Sequence, residues 1–191
     1  MTLFKNNYRV ESARLKGWDY ASAGAYFVTF CTASRQPWLG EVSGNDVRLS
    51  PLGEIVADEW LRTPLVRPHI ELDQWIIMPD HVHGIIVITP VEASRGVETS
   101  RDMIETSRRD VSTIPTTPRL QPNSLGAIIG QIKSLCTKRI WAAGFRDFRW
   151  QTRFYDRIIR DDQALEHIRA YIVDNPVHWA QDKGRPLDVW V

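Results

Sequence analysis

A chain of 191 residues with a net charge of +1 is long enough for one well-cored domain and too short for two of comfortable size. Its 43% hydrophobic and 25% charged residues are ordinary for a soluble globular protein, and the near-neutral balance gives no chain-wide argument for a nucleic-acid partner, so any such argument must be local. Cys31 and Cys136 form no CxxC pair and no secretory leader is evident, which argues against a disulfide framework or a cysteine-built zinc site and makes the cytoplasm the expected compartment. The apolar runs fall far short of the roughly 18 residues that span a bilayer.

In chain order, "GAYFVTFCTA" from Gly24 is rich in aromatic and β-branched residues and is predicted to be a strand. "PWLGEV" and "DVRLS" predict a short hairpin around Ser43-Gly44-Asn45-Asp46. Ser50 can cap and Pro51 can open a helix through Ile55, Trp60 and Leu61 that ends before Pro64. "HIELDQWIIMPD" and "HVHGIIVITP" then read as two antiparallel strands broken at Pro79-Asp80.

Residues 91–121 change character, with Ser, Thr, Arg and Pro replacing apolar periodicity and a near-repeat in "VETSRD" and "IETSRRD". This composition predicts a mobile insert within a single domain spanning 1–191. Beyond it, Ile128, Ile129, Ile132 and Leu135 form a helical stripe that Asn123 or Ser124 can cap and Gly144 can end. "FRWQTRFYDRII" is predicted to be the last strand, and "RDDQALEHIRAYIVDNPVHWAQ" a helix running until Pro176. The order strand, helix, strand, strand, helix, strand, helix predicts an α+β, ferredoxin-like split βαβ fold, an antiparallel sheet with helices packed on one face.

Three features point to chemistry. In "MPDHVHGIIVI", His81 and His83 share one face of a strand while Val82 points to the other. The pair could be two imidazoles satisfied by packing or two ligands of a metal site that needs a third, such as Asn175. Asp80, next to His81, is expected to face away if the strand is regular there. On the last helix Leu165, Ile168 and Ile172 form the apolar stripe, and Tyr171 falls on its flank with Asn175 at i+4. A half-buried tyrosine and a helix-ending asparagine before proline would satisfy the same spacing.

The third feature is basic. Residues 133–160 contain Lys133, Lys138, Arg139, Arg146, Arg149, Arg153, Arg157 and Arg160 against only Asp147 and Asp156. Trp141, Phe145, Phe148, Trp150, Phe154 and Tyr155 are interleaved, the composition of a groove that follows a phosphate backbone and stacks bases. No Walker, GxGxxG, HExxH or GxSxG motif is present, so nucleotide hydrolysis, dinucleotide chemistry and acyl transfer lose support.

"MPDHVHGIIVI" resembles the histidine–hydrophobic–histidine (HUH) motif of tyrosine transposases, whose commonest version has asparagine where this chain has Asp80. "RAYIVDNPV" is similar to the tyrosine helix of REP-associated tyrosine transposases, part of the IS200-like superfamily, and "RVESARLKGWDYASAGAYFVTFCTASR", "SLGAIIGQIKS" and "RFYDRIIRD" are similar to further segments of that group. The resemblance implies a single-stranded DNA endonuclease and transposase on a ferredoxin-like fold. It implies Tyr171 as nucleophile, and His81, His83 and Asn175 as ligands of Mg²⁺ or Mn²⁺. Imidazoles alone suit zinc, copper or iron better, so the metal's identity rests on the resemblance.

The same resemblance implies nicking and rejoining at hairpin-forming repeats through a 5′-phosphotyrosine, in the bacterial cytoplasm at the nucleoid, by a monomer or a homodimer. Lys133, Lys138, Arg139, Arg149, Arg153 and Arg157 are the expected DNA contacts. Tyr155 is a second candidate nucleophile, and His167 lies one turn before Tyr171. Two other functions fit the residues: a non-catalytic module that holds structured nucleic acid on the same fold, and a hydrolase that uses the histidine pair and Asp80 with an activated water.

Overall fold

The computed structural model describes residues 3–4, 8–9, 15, 17–90 and 121–179. Two dipeptide strands, β1 (Leu3–Phe4) and β2 (Tyr8–Arg9), pair antiparallel near the start of the chain. The aromatic run after Gly24 forms β3 (Gly24–Cys31). A hairpin of β4 (Gly40–Ser43) and β5 (Asp46–Leu49) turns at Gly44, whose φ of +62° suits glycine. In α1 (Pro51–Leu61) the Ser50 hydroxyl accepts the Gly53 N–H at 3.2 Å, the expected cap, and a single turn, α2 (Thr63–Val66), follows.

Strands β6 (Ile70–Met78) and β7 (His81–Ile88) form the antiparallel pair expected around Pro79-Asp80. Ser124 caps α3 (Leu125–Ala142) by accepting the Ala127 N–H, and Gly144, at φ +100°, lies just past its end. The last strand is shorter than its sequence suggests: β8 spans only Tyr155–Ile159. Because β3 ends at Cys31, Trp150 finds only an isolated bridge to Thr32, and Phe148 turns into the core instead of continuing a ladder. The final helix, α4 (Asp162–Trp179), runs through Pro176 instead of stopping there. The proline forgoes one backbone hydrogen bond close to the helix end, and its ring is buried. The insert expected at 91–121 lies, but for its last residue, outside the described residues.

The main sheet has the order β6-β7-β3-β8 with every neighbour antiparallel, the α+β, ferredoxin-like topology. Alternation splits β3 and β7 between two cores. Tyr26, Val28, Phe30, Val82 and Ile86 face α1 and α3, where Trp60 is fully buried. Phe27 and Ile85 face the other way and meet Ile168 and Ile172 of α4. The expectation of helices on one face therefore holds for α1 and α3, whereas α4 covers the opposite face. Its apolar stripe needs an apolar partner, and β3 and β7 carry apolar residues on both sides.

Gly84 of β7 lies under α1. A Cβ there would stand 2.4 Å from Trp60 Cζ2 and 3.2 Å from Trp75 Cβ, so only glycine lets the indole cross the strand. Gly84→Ala is expected to destabilise the fold by about 1–3 kcal/mol in urea unfolding, the usual cost of overpacking. Stability equal to wild type would show that the indole shifts freely.

Candidate active site

The site lies where β3 ends and β7 begins, on the face covered by α4. Register pairs Thr29 with His83 and Cys31 with His81, so these four side chains share that face, as period-two alternation requires. Both histidines are buried, 2% and 1% exposed. Their Nε2 atoms approach to 2.9 Å, and each ring is held from behind at Nδ1: His81 by Asp80 Oδ1 at 2.6 Å, His83 by Thr29 Oγ1 at 2.7 Å. Asp80 thus faces His81 instead of turning away. It belongs to the turn before β7, where strand alternation does not apply. Its second oxygen takes the Arg35 guanidinium, Nε to Oδ2 at 2.7 Å.

Burial pushes the pKa of both imidazoles below the ordinary value, with His81 and Arg35 adding to the effect on His83. For His81 the Asp80 carboxylate and the Asn175 side chain act in the opposite direction, and burial outweighs them. Neutral imidazoles with Nδ1 engaged and Nε2 convergent are the form that binds a metal ion.

Helix α4 brings the remaining candidates. The Tyr171 hydroxyl lies 3.4 Å from His83 Nε2, the two rings meet edge-on at 5.2 Å, and Phe27 packs against both. One turn on, the Asn175 side chain lies beside the His81 imidazole, and one turn further the Trp179 ring lies 5.8 Å from that of His81. The flank position read from the helical stripe thus places Tyr171 and Asn175 against the histidine pair. Arg169 pins this part of α4 to the edge strand β6: its Nε donates to Asp73 Oδ1 at 2.8 Å, its second nitrogen to Asp73 Oδ2, and its third to Glu166 at 2.6 Å. Asp73 sits where the register between β6 and β7 shifts, and the Arg169 guanidinium holds its carboxyl below the usual range.

Among the described residues no three His, Cys, Asp or Glu side chains converge on a point that could hold a metal ion. Two imidazoles and an amide do converge. Adjacent ligands about 2.1 Å from one ion and at right angles to each other stand roughly 3.0 Å apart, which fits the 2.9 Å between the two Nε2 atoms. Tyr155 is on the same face but on β8, two strands from His83 across β3, and His167 is exposed.

The basic residues divide into two groups. Arg139 donates to Glu59 and Asp58 at 2.7 and 2.9 Å, and Lys133 donates to the Gln151 carbonyl at 2.5 Å, so both tie elements of the fold together. Lys138, Arg149, Arg153 and Arg157 are exposed, and Arg149 lies 4.6 Å over the Trp141 ring. Arg157, opposite Phe27 in the β3–β8 register, is on the face of the site. Residues 149–151 run beside the end of β3, with Ala33 N donating to Arg149 O and Gln151 N to Cys31 O. Arg35, Thr29 and Trp179 carry no sequence signal of a site. Only the partner each meets in the fold gives them one.

No family model matches the chain. An uncharacterized protein of Haemophilus influenzae is 30% identical over 175 residues, covering 90% of this chain and 91% of its own. A solved structure of a REP-associated tyrosine transposase bound to a REP hairpin superimposes with a TM-score of 0.55, covering 95% of this chain and 92% of its own at 18% identity, a likeness of fold. No helix among the described residues is long and apolar enough to cross a membrane. The chain belongs to one family with the Haemophilus influenzae protein, and it has the fold of the REP-associated tyrosine transposase.

Proposed function

We propose that the protein is a metal-dependent single-stranded DNA endonuclease and transposase that nicks and rejoins DNA at hairpin-forming repeats, with Tyr171 as nucleophile. The observation that carries this is the Tyr171 hydroxyl, 3.4 Å from His83 Nε2 at the point where the two histidines converge. His81, His83 and Asn175 would hold Mg²⁺ or Mn²⁺, and a divalent ion there supplies positive charge that draws electron density off a phosphate oxygen.

A free tyrosine phenol ionises only at about pH 10 and is a weak nucleophile below it. Phe27 and the docking of α4 restrain the Tyr171 ring, so the phenol oxygen is positioned before substrate arrives. Attack on phosphorus forms the tyrosine O–P bond and breaks the bond to the 3′ oxygen. The proton lost by the phenol is balanced by the one gained on the 3′-hydroxyl. The 5′-phosphotyrosine keeps the energy of a phosphodiester, so the liberated or another 3′-hydroxyl can reverse the step and rejoin the strand. Lys138, Arg149, Arg153 and Arg157 supply phosphate contacts on the exposed surface, and the Trp141 ring offers a stacking platform. The REP hairpin bound to the structural neighbour supports hairpins as substrates, which the protein would meet at the bacterial nucleoid.

Purified protein mixed with single-stranded hairpins from the flanks of its own gene is expected to form a denaturation-resistant adduct in Mn²⁺ or Mg²⁺. Chelator and Tyr171→Phe should each abolish the adduct while the variant still binds the hairpin. Binding without any adduct in the wild type would favour a non-catalytic nucleic-acid module, and an adduct that survives Tyr171→Phe would move the nucleophile to Tyr155. Arg157→Ala should weaken hairpin binding and reduce the slope of log Kobs against log salt by about 0.7–0.9. Arg139→Ala should leave that slope unchanged and lower the midpoint of thermal unfolding.

A further inference from the structure

The Asp80 carboxylate is engaged on both oxygens, Oδ1 with His81 Nδ1 and Oδ2 with Arg35 Nε. The carboxylate is 7% exposed, so water is a poor substitute for either partner. An ionised carboxylate only accepts hydrogen bonds and a guanidinium only donates them. The directions along this chain therefore have one solution: Arg35 donates to Oδ2, and the His81 Nδ1–H donates to Oδ1. His81 then carries its proton on Nδ1 and presents the Nε2 lone pair to the site.

The other polar neighbours of His81 impose no such choice. The Asn175 amide has both donors and an acceptor, and neutral His83 can donate or accept at Nε2. The Thr29 hydroxyl behind His83 can also do either, so His83 is free to adjust to its neighbour. Arg35 reaches Asp80 from an uncommon backbone, with Ser34 and Arg35 at φ +54° and +55°. Ala33 N–H···O bonding to Arg149 and Thr32 Oγ1 bonding to the Gln36 carbonyl at 2.7 Å hold that turn in place.

We propose that Arg35 and Asp80 act as one positioning pair that locks His81 in the tautomer whose Nε2 faces the site, and that Arg35 makes a carboxylate, not an amide, necessary at position 80. The consequence for metal binding rests on the function proposed above; the tautomer is a property of the metal-free protein. Donor and acceptor parity decides the matter. With asparagine at 80, the arm facing Arg35 must be the oxygen, because a guanidinium N–H against an amide N–H is repulsive. The amide nitrogen then faces His81 Nδ1, which must accept, and the ring proton moves to Nε2. If Arg35 is replaced by methionine, which keeps an apolar stem without donors, the amide can turn its oxygen to His81 and the original tautomer returns.

The test reads histidine ring nitrogens by NMR in full-length protein labelled with ¹⁵N-histidine, in chelator, with His81 assigned through His81→Gln. Wild type should show His81 protonated at Nδ1, Asp80→Asn should exchange its pyrrole-type and pyridine-type signals, and Asp80→Asn with Arg35→Met should restore them. Mn²⁺ affinity should follow the tautomer, about ten- to a hundredfold lower in Asp80→Asn and recovered in the double variant. Thermal unfolding confirms that each variant is folded, and the wild-type tautomer stands as a test even where a variant is not. Protonation of wild-type His81 at Nε2, an unchanged tautomer in folded Asp80→Asn, or a double variant that does not revert would each overturn the proposal. Ring nitrogens that behave as stated in a protein that binds no Mn²⁺ would uphold the positioning pair and refute the metal-ligand roles instead.

Discussion

Two buried imidazole nitrogens 2.9 Å apart cannot both direct lone pairs at each other without something between them, either a proton or a cation. Most of the local structure sets up or answers that approach. Antiparallel register places Thr29 behind His83 and leaves the turn residue Asp80 to serve His81. Burial lowers the pKa of both rings, which disfavours relief by adding a proton and keeps the nitrogens available to a metal ion. The arrangement is costly for a merely structural core, where two apolar side chains would pack without any need for partners, and it suits a site.

The second requirement is that α4 stay in register with β7. Ile168 and Ile172 bury against Phe27 and Ile85, an attraction with little directional preference, so apolar packing alone would tolerate sliding. The bidentate grip of Arg169 on Asp73 is directional and lies half a turn before Tyr171. It acts from the opposite edge of the sheet to β8, where Arg157 sits, so helix positioning and the proposed phosphate contacts are carried by different elements.

Much of this was legible from residue order because it depends on period and local chemistry. Alternation put His81 and His83 on one face, helical spacing put Tyr171 and Asn175 on one flank, and Ser50, Pro51 and Ser124 marked helix starts through their own hydrogen-bonding and φ preferences. What stayed hidden depends on meetings between distant segments. Nothing local in Arg35 shows that it turns back to Asp80 through two left-handed residues, and Arg139 resembles any exposed helix arginine until α1 brings Asp58 and Glu59 to it. The same reason explains the side of the sheet chosen by α4 and its passage through Pro176: both follow from buried area, which residue spacing does not reveal.

The function proposed for the site turns on His81, His83 and Asn175 forming one metal centre beside Tyr171. Crystals grown or soaked in Mn²⁺ and measured for anomalous scattering test this directly. A single strong peak is expected between the two Nε2 atoms, within reach of the Asn175 side chain and next to the Tyr171 hydroxyl. A map with no peak there at saturating Mn²⁺, or with Mn²⁺ bound only elsewhere, would contradict it.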